Sequence, residues 1–66
     1  MLRLMYERRK KSLTQTQLAD VIGVSRITIN KWETRKSTPS VEMLLKLSEY
    51  FNVSVDYLLG ITEKEK

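Results

Sequence analysis

The chain has no cysteine and no histidine, only two glycines and one proline, and no apolar run near the length of a membrane span. Without cysteine there is neither a disulfide nor a thiolate metal site. Without histidine the commonest metal ligand and the usual general base near pH 7 are also missing. Serine, threonine and tyrosine hydroxyls are present, but an activated one would need a lysine or carboxylate base, and no spacing supplies it. The two isolated glycines, Gly23 and Gly60, cannot build a phosphate-cradling nucleotide loop. The acidic residues are scattered rather than paired. These absences argue against an enzyme and predict no catalytic residue, no metal and no cofactor. A spanning helix needs roughly 18 consecutive apolar residues, and the opening Met1-Leu2-Arg3-Leu4 carries no signal-peptide run. The expectation is a soluble, cytoplasmic protein with no membrane partner.

What is there is short and charged. Sixty-six residues, 41% hydrophobic and 30% charged, suit one globular domain. A chain of this size buries only about 60% of the surface it exposes when unfolded, so a second copy would help to stabilise it. No separate small-molecule domain is expected in this length. Net charge is +4, and it is spread unevenly. Residues 1–36 hold nine basic against three acidic side chains, whereas residues 37–66 hold three basic against five acidic. A basic half beside a mildly acidic one favours a polyanion on one side of the molecule, or is an ordinary solvated surface.

Apolar residues recur at helical spacing throughout, with no sustained two-residue alternation, and the reading is all-α with five helices. The first is expected over about residues 2–11, with Met1, Leu4, Met5 and Arg8 on one face. Arg9, Lys10 and Lys11 read as charges favouring its C-terminal end. Thr14-Gln15-Thr16-Gln17 has the form of a capping box, with Leu13 and Leu18 as a staple. Leu18, Val21 and Ile22 then form a stripe, and Gly23 ends the helix in a left-handed conformation. Ser25 caps a third helix that closes near Glu33, and a connection this tight forces a steep crossing. Ser40, after Pro39, caps a fourth helix to about Phe51, with Val41, Leu44, Leu45, Leu47, Ser48 and Phe51 at helical period. Ser54 caps a short fifth helix that Gly60 closes. Residues 1–61 are thus one domain, and residues 62–66 a polar tail expected to fray.

Residues 15–34 carry the functional signal. Ala19 is small where a helix must cross, Gly23 turns, and Ile22, Val24, Ile29 and Trp32 fill a shared core. On a helical wheel Ile27, Asn30, Lys31 and Thr34, with Arg26 at the edge, then point outward. That face is basic and hydrogen-bonding, and a major groove is wide enough to accept one helix.

The ordered set Leu13-Thr14-Gln15, Leu18-Ala19, Gly23-Val24-Ser25, Ile29, Trp32-Glu33, Pro39-Ser40 and residues 53–60 resembles the helix-turn-helix of the phage repressor and Cro family, also called the xenobiotic-response-element family. The resemblance covers nearly the whole chain and places the helix-turn-helix at about residues 14–34. It implies a compact, lambda-repressor-like five-helix domain that binds double-stranded DNA as a sequence-specific transcription regulator, a repressor acting as a homodimer on a palindromic operator. Arg26, Ile27, Thr28, Asn30 and Lys31 fall where family members read bases. Ile27 is either a contact to a thymine methyl or a solitary exposed apolar residue. Thr14, Gln15, Ser25, Thr34, Arg35 and Lys36 fall at phosphate-contacting positions. Arg8 and Glu33 occupy the places of a structural ion pair. Val55, Tyr57 and Ile61, left over when Leu58 and Leu59 face the core, are either candidates for a dimer surface or plain core or rim residues. Two positions depart from the family pattern: Arg35 stands where Gly or Asn is usual, and Ser12 where Gly is frequent. An arginine in a left-handed turn costs roughly 1 kcal/mol. The other function class open to this fold is a protein-interaction module, such as the antitoxin half of a toxin–antitoxin pair.

Overall fold

The computed structural model describes residues 2–65, which hold five helices and no strand. In chain order they are α1 (Leu4–Lys10), α2 (Gln15–Ile22), α3 (Arg26–Glu33), α4 (Val41–Phe51) and α5 (Val55–Leu58). None of them is long and apolar enough to cross a membrane. Four begin on a hydroxyl cap. Thr14, Ser25, Ser40 and Ser54 each accept the backbone N–H three residues on, from Gln17, Thr28, Met43 and Tyr57. At Thr14 the box is complete, because the Gln17 side-chain oxygen in turn accepts the Thr14 N–H at 2.8 Å. Helix α1 lacks such a cap and starts two residues later than its periodicity predicts. The Arg3 N–H is spent on the Leu58 carbonyl at 2.7 Å, which ties the start of the chain to α5. Met1, expected on the α1 face, lies outside the described residues.

The helix ends share a second device. Just past each helix stands a residue of positive φ: Ser12 (58°), Gly23 (90°), Arg35 (64°), Asn52 (57°) and Gly60 (78°). Each reverses the chain so that the next N–H groups reach back into the last turn. After α3 the Arg35 N–H bonds the Trp32 carbonyl and the Lys36 N–H bonds the Lys31 carbonyl, at 3.3 and 2.8 Å. Only two of the five are glycine. At Gly23 a Cβ would meet nothing within 4 Å, so the backbone angle alone demands glycine there. This corner lets α3 follow α2 after three residues and pack against it.

Each helix sends one fully buried side chain inward: Leu4, Leu18, Ile29, Leu47 and Leu58. Ala19, Ile22, Trp32, Phe51, Val53 and Tyr57 close the core around them. The inward stripe of α4 is Leu44, Leu47 and Phe51. Val41 and Leu45, read as part of that stripe, are 74% and 53% exposed, and Val21 of α2 is also exposed. They lie one rung around the wheel, where the neighbouring helices do not reach.

Tyr57, expected at an outer surface, is instead a core residue. Its hydroxyl donates to the buried Glu7 carboxylate at 3.1 Å, and this bond draws the ring inward over α1. A single turn of helix is too short for a wheel to fix its faces. Leu59 correspondingly sits only half buried. Burial, then the bond to Glu7 and its charge, hold the Tyr57 phenol above the ordinary tyrosine pKa. Glu7 likewise raises the pKa of exposed Lys10, whose ammonium lies 3.7 Å from the same carboxylate.

The described part of the tail makes contacts back to the domain. Arg3 donates to the carbonyls of Tyr57 (3.0 Å) and Thr62 (2.7 Å), pairs with Glu63 (3.0 Å) and lies over the Tyr57 ring. The Ser54 N–H bonds the Glu65 carbonyl.

Candidate nucleic-acid interface

Helix α3 is divided cleanly by burial. Ile29 and Trp32 are buried at 0% and 5% exposure, while Arg26, Ile27 and Lys31 are exposed and Thr28 and Asn30 half-buried. Ile27 is 58% exposed, an apolar side chain among cations and hydroxyls. The loop that follows continues the basic face with Arg35 and Lys36, both exposed. Among the described residues, none of Arg26, Lys31, Arg35 and Lys36 forms an ion pair. Their charges are therefore uncompensated by contact. The trio Arg9, Lys10 and Lys11 is differently placed. Lys10 serves Glu7 and lies over the Tyr6 ring, and Lys11 lies over the Tyr50 ring.

Several hydroxyls of the expected interface already have local partners. Ser25 and Thr28 share a hydrogen bond at 3.1 Å, so one hydroxyl proton of the pair stays available. Thr34 donates to the Asn30 carbonyl at 2.8 Å and keeps only its lone pairs. Thr14 accepts from Gln17 and still has its own proton to give. With the Gln17 N–H capped, the N–H groups of Gln15 and Thr16 are the open donors at the α2 N-terminus.

A hydrogen-bonded cluster lies behind this surface. The Glu33 side chain, at the end of α3, has no solvent exposure. Arg8 of α1 grips it with two bonds, Nε to Oε2 at 2.7 Å and Nη2 to Oε1 at 3.1 Å. The third guanidinium nitrogen of Arg8 donates to the Leu13 carbonyl at 2.7 Å, just before the α2 cap. Gln15 of α2 completes the cluster, its Nε2 donating to Glu33 Oε1 at 3.0 Å. Three helices thus meet on one carboxylate, and every buried side-chain polar atom among the described residues has a partner. The Arg8–Glu33 pair is the one expected from the sequence. The Gln15 bond is not, because nothing in a spacing of 18 residues announces it.

Of the remaining expected site residues, Val55 is half-buried and Ile61 is 70% exposed. Arg35 takes the left-handed angle despite its side chain, and it lines an open groove with Leu2, Arg9 and Glu33.

The comparisons with known proteins agree with this geometry. A family model described as helix-turn-helix matches residues 4–58. The transcriptional activator BcrR of Enterococcus faecalis is 46% identical over 58 residues, 88% of this chain and 28% of the relative. The CTXphi transcriptional repressor RstR of Vibrio cholerae is 36% identical over 58 residues, 88% of this chain and 52% of the relative. Repressor protein C2 of Salmonella phage P22 is 39% identical over 57 residues, 86% of this chain and 26% of the relative. The chain therefore spans about half the length, or less, of these curated relatives. The crystal structure of the P22 c2 repressor in complex with a synthetic operator superposes with a TM-score of 0.85 at 35% identity, covering 94% of this chain and 98% of that one. With five helices in that arrangement and a match running from α1 to α5, the chain belongs to the helix-turn-helix family, of the phage repressor and Cro type.

Proposed function

We propose that this domain binds double-stranded DNA sequence-specifically as a transcription regulator, with α3 in the major groove. One observation carries the reading. Helix α3 is sealed on its inner side by Ile29 and Trp32, and presents Arg26, Ile27 and Lys31 outward with no ion pair among the described residues. Arginine or lysine to guanine O6 and N7 is the commonest specific pairing, and an exposed aliphatic group suits a thymine methyl. Thr28 and Asn30 flank these readers. Thr14, Gln15, Ser25, Thr34, Arg35 and Lys36 supply the phosphate contacts that fix register without reading sequence. The operator named with the P22 c2 repressor structure supports the same docking here.

We further propose that two copies act together on a palindromic site, with half-sites about 34 Å apart, and that occupancy blocks transcription. The names of RstR and P22 C2 support repression, while BcrR is named an activator. Val55 and Ile61 are the residues we propose at the dimer surface, Tyr57 being spent in the core. A regulator of this kind works in the cytoplasm.

Site selection from random duplex, followed by affinity measurements on the selected and a random sequence, tests the proposal. Lys31→Ala should cost about 1–3 kcal/mol on the selected site and relax one base position, with little change on random DNA. Gln15→Ala should weaken both alike. Selection that enriches nothing, with no complex at low ionic strength, would refute DNA binding. Equal losses for Lys31→Ala on the two duplexes would remove it from base reading.

A further inference from the structure

We propose that Glu33, an acid beneath a DNA-binding face, is a positioning residue that strengthens backbone binding by orienting Gln15. This inference rests on the DNA-binding reading above. A phosphate needs a donor, and the Gln15 side chain has two identities to offer, an amide nitrogen and an amide oxygen. An ionised carboxylate accepts only. Its Oε1, 3.0 Å from Gln15, therefore compels the nitrogen end of the amide to lie on that side. One N–H is used there and the other remains for a phosphate. Without Glu33 no other hydrogen bond among the described residues fixes the amide, and the carbonyl end is as free to face the backbone as the nitrogen is. Holding a side chain in its binding rotamer lowers the entropy lost on association.

Arg8 makes this arrangement compatible with a polyanion. A bare carboxylate one residue behind a phosphate contact would repel it. The two-bonded guanidinium at 2.7 and 3.1 Å cancels that charge at its source. The same guanidinium holds the Leu13 carbonyl, so the α2 cap and the Gln15 clamp share one anchor. Glu33 has no exposed side-chain surface to offer a ligand directly.

Charge alone and positioning give opposite signs for one substitution. Glu33→Ala removes a negative charge near the interface, so electrostatics alone strengthens DNA binding. Loss of an oriented donor weakens it, by about threefold to tenfold, a fraction of what a full hydrogen bond to a charged group contributes. Affinities for one selected and one random duplex are measured at fixed salt, on protein shown by circular dichroism to be folded at the assay temperature. We expect Glu33→Ala to bind both duplexes more weakly, and to cause no further loss once Gln15 is already alanine. Glu33→Gln, which preserves shape and can both accept and donate, serves if the alanine variant does not fold, and it too should weaken both duplexes. Tighter or unchanged binding by the folded variant, or a loss that persists undiminished in the Gln15→Ala background, overturns the inference. Such outcomes leave DNA binding intact, whereas a wild-type protein that binds no duplex defeats the function proposed above instead.

Discussion

Arg35→Gly should make the protein more stable, although it deletes a residue from the candidate interface. Arg35 holds φ at 64°, where a side chain costs about 1–2 kcal/mol. The two bonds that close α3, from the Arg35 and Lys36 N–H groups, are made by backbone and survive the change. The arginine side chain is exposed and forms no ion pair among the described residues, so no folded-state pairing is lost. Against the gain stands the greater freedom of glycine in the unfolded chain, about 0.4–1 kcal/mol. The net is about 0–1.6 kcal/mol, and its midpoint of about 0.8 kcal/mol raises Tm in a domain of this size by about 3–6 °C. The arginine charge is a confounding factor, since its loss also relieves repulsion in a chain of net charge +4. Arg35→Ala separates the two effects. It removes the same charge but keeps a Cβ at the strained angle, so its Tm should fall below that of the glycine variant. Thermal melts of the three proteins in one buffer decide the matter. Equal melting points for the glycine and alanine variants would show that the strain at this angle is no larger than the entropy cost of glycine in the unfolded chain, and would refute the expected gain. The phosphate role can be read from the same pair, because loss of one phosphate contact lowers the log–log salt slope of DNA binding by about 0.9 in both.

Two other perturbations follow from the fold. Tyr57 has its pKa raised by burial and by Glu7, so its contribution is complete below the ordinary tyrosine value near 10 and is lost as pH climbs through the folded one. Denaturant midpoints between pH 8 and 11 should therefore decline less steeply in Tyr57→Phe than in wild type, and parallel curves would deny the linkage. At neutral pH the same variant should be less stable by about 1 kcal/mol, because buried Glu7 loses a donor. Gly23→Ala should cost about 1–2 kcal/mol from the angle alone, with no steric contribution, since its Cβ would meet open space. A loss well beyond that, measured by the same melts, would mean that the α2–α3 corner is set by packing rather than by φ.

The helix starts were legible because capping is local. Thr14, Ser25, Ser40 and Ser54 announce themselves within three residues of the groups they satisfy. The helix ends were half legible. Glycine flagged two of the five closures and the family pattern two more, at Ser12 and Arg35. Asn52 closes the fifth with neither signal, although asparagine is the residue other than glycine that most readily turns left-handed. The outer stripe of α4 was misread for a different reason. Val41 and Leu45 keep the helical period as faithfully as Leu44 and Leu47 do, and period alone does not say which rung another helix covers.

The candidate reading face and the cluster behind it differ in the same way. The outward side of α3 follows by elimination once Ile29 and Trp32 are assigned to the core, so eight consecutive residues suffice to define it. The cluster needs Arg8, Leu13, Gln15 and Glu33 from three helices and a turn, and each looks ordinary in its own segment. A periodic face is a property of one element; a shared carboxylate is a property of how elements meet. The same holds for Glu7 and Tyr57, 50 residues apart, and for Arg3 and the tail it secures. Substitutions on the α3 face should accordingly change binding while sparing the fold. Those at Arg8, Glu33, Glu7 or Tyr57 act on several helices together, because no single element contains the interaction they remove.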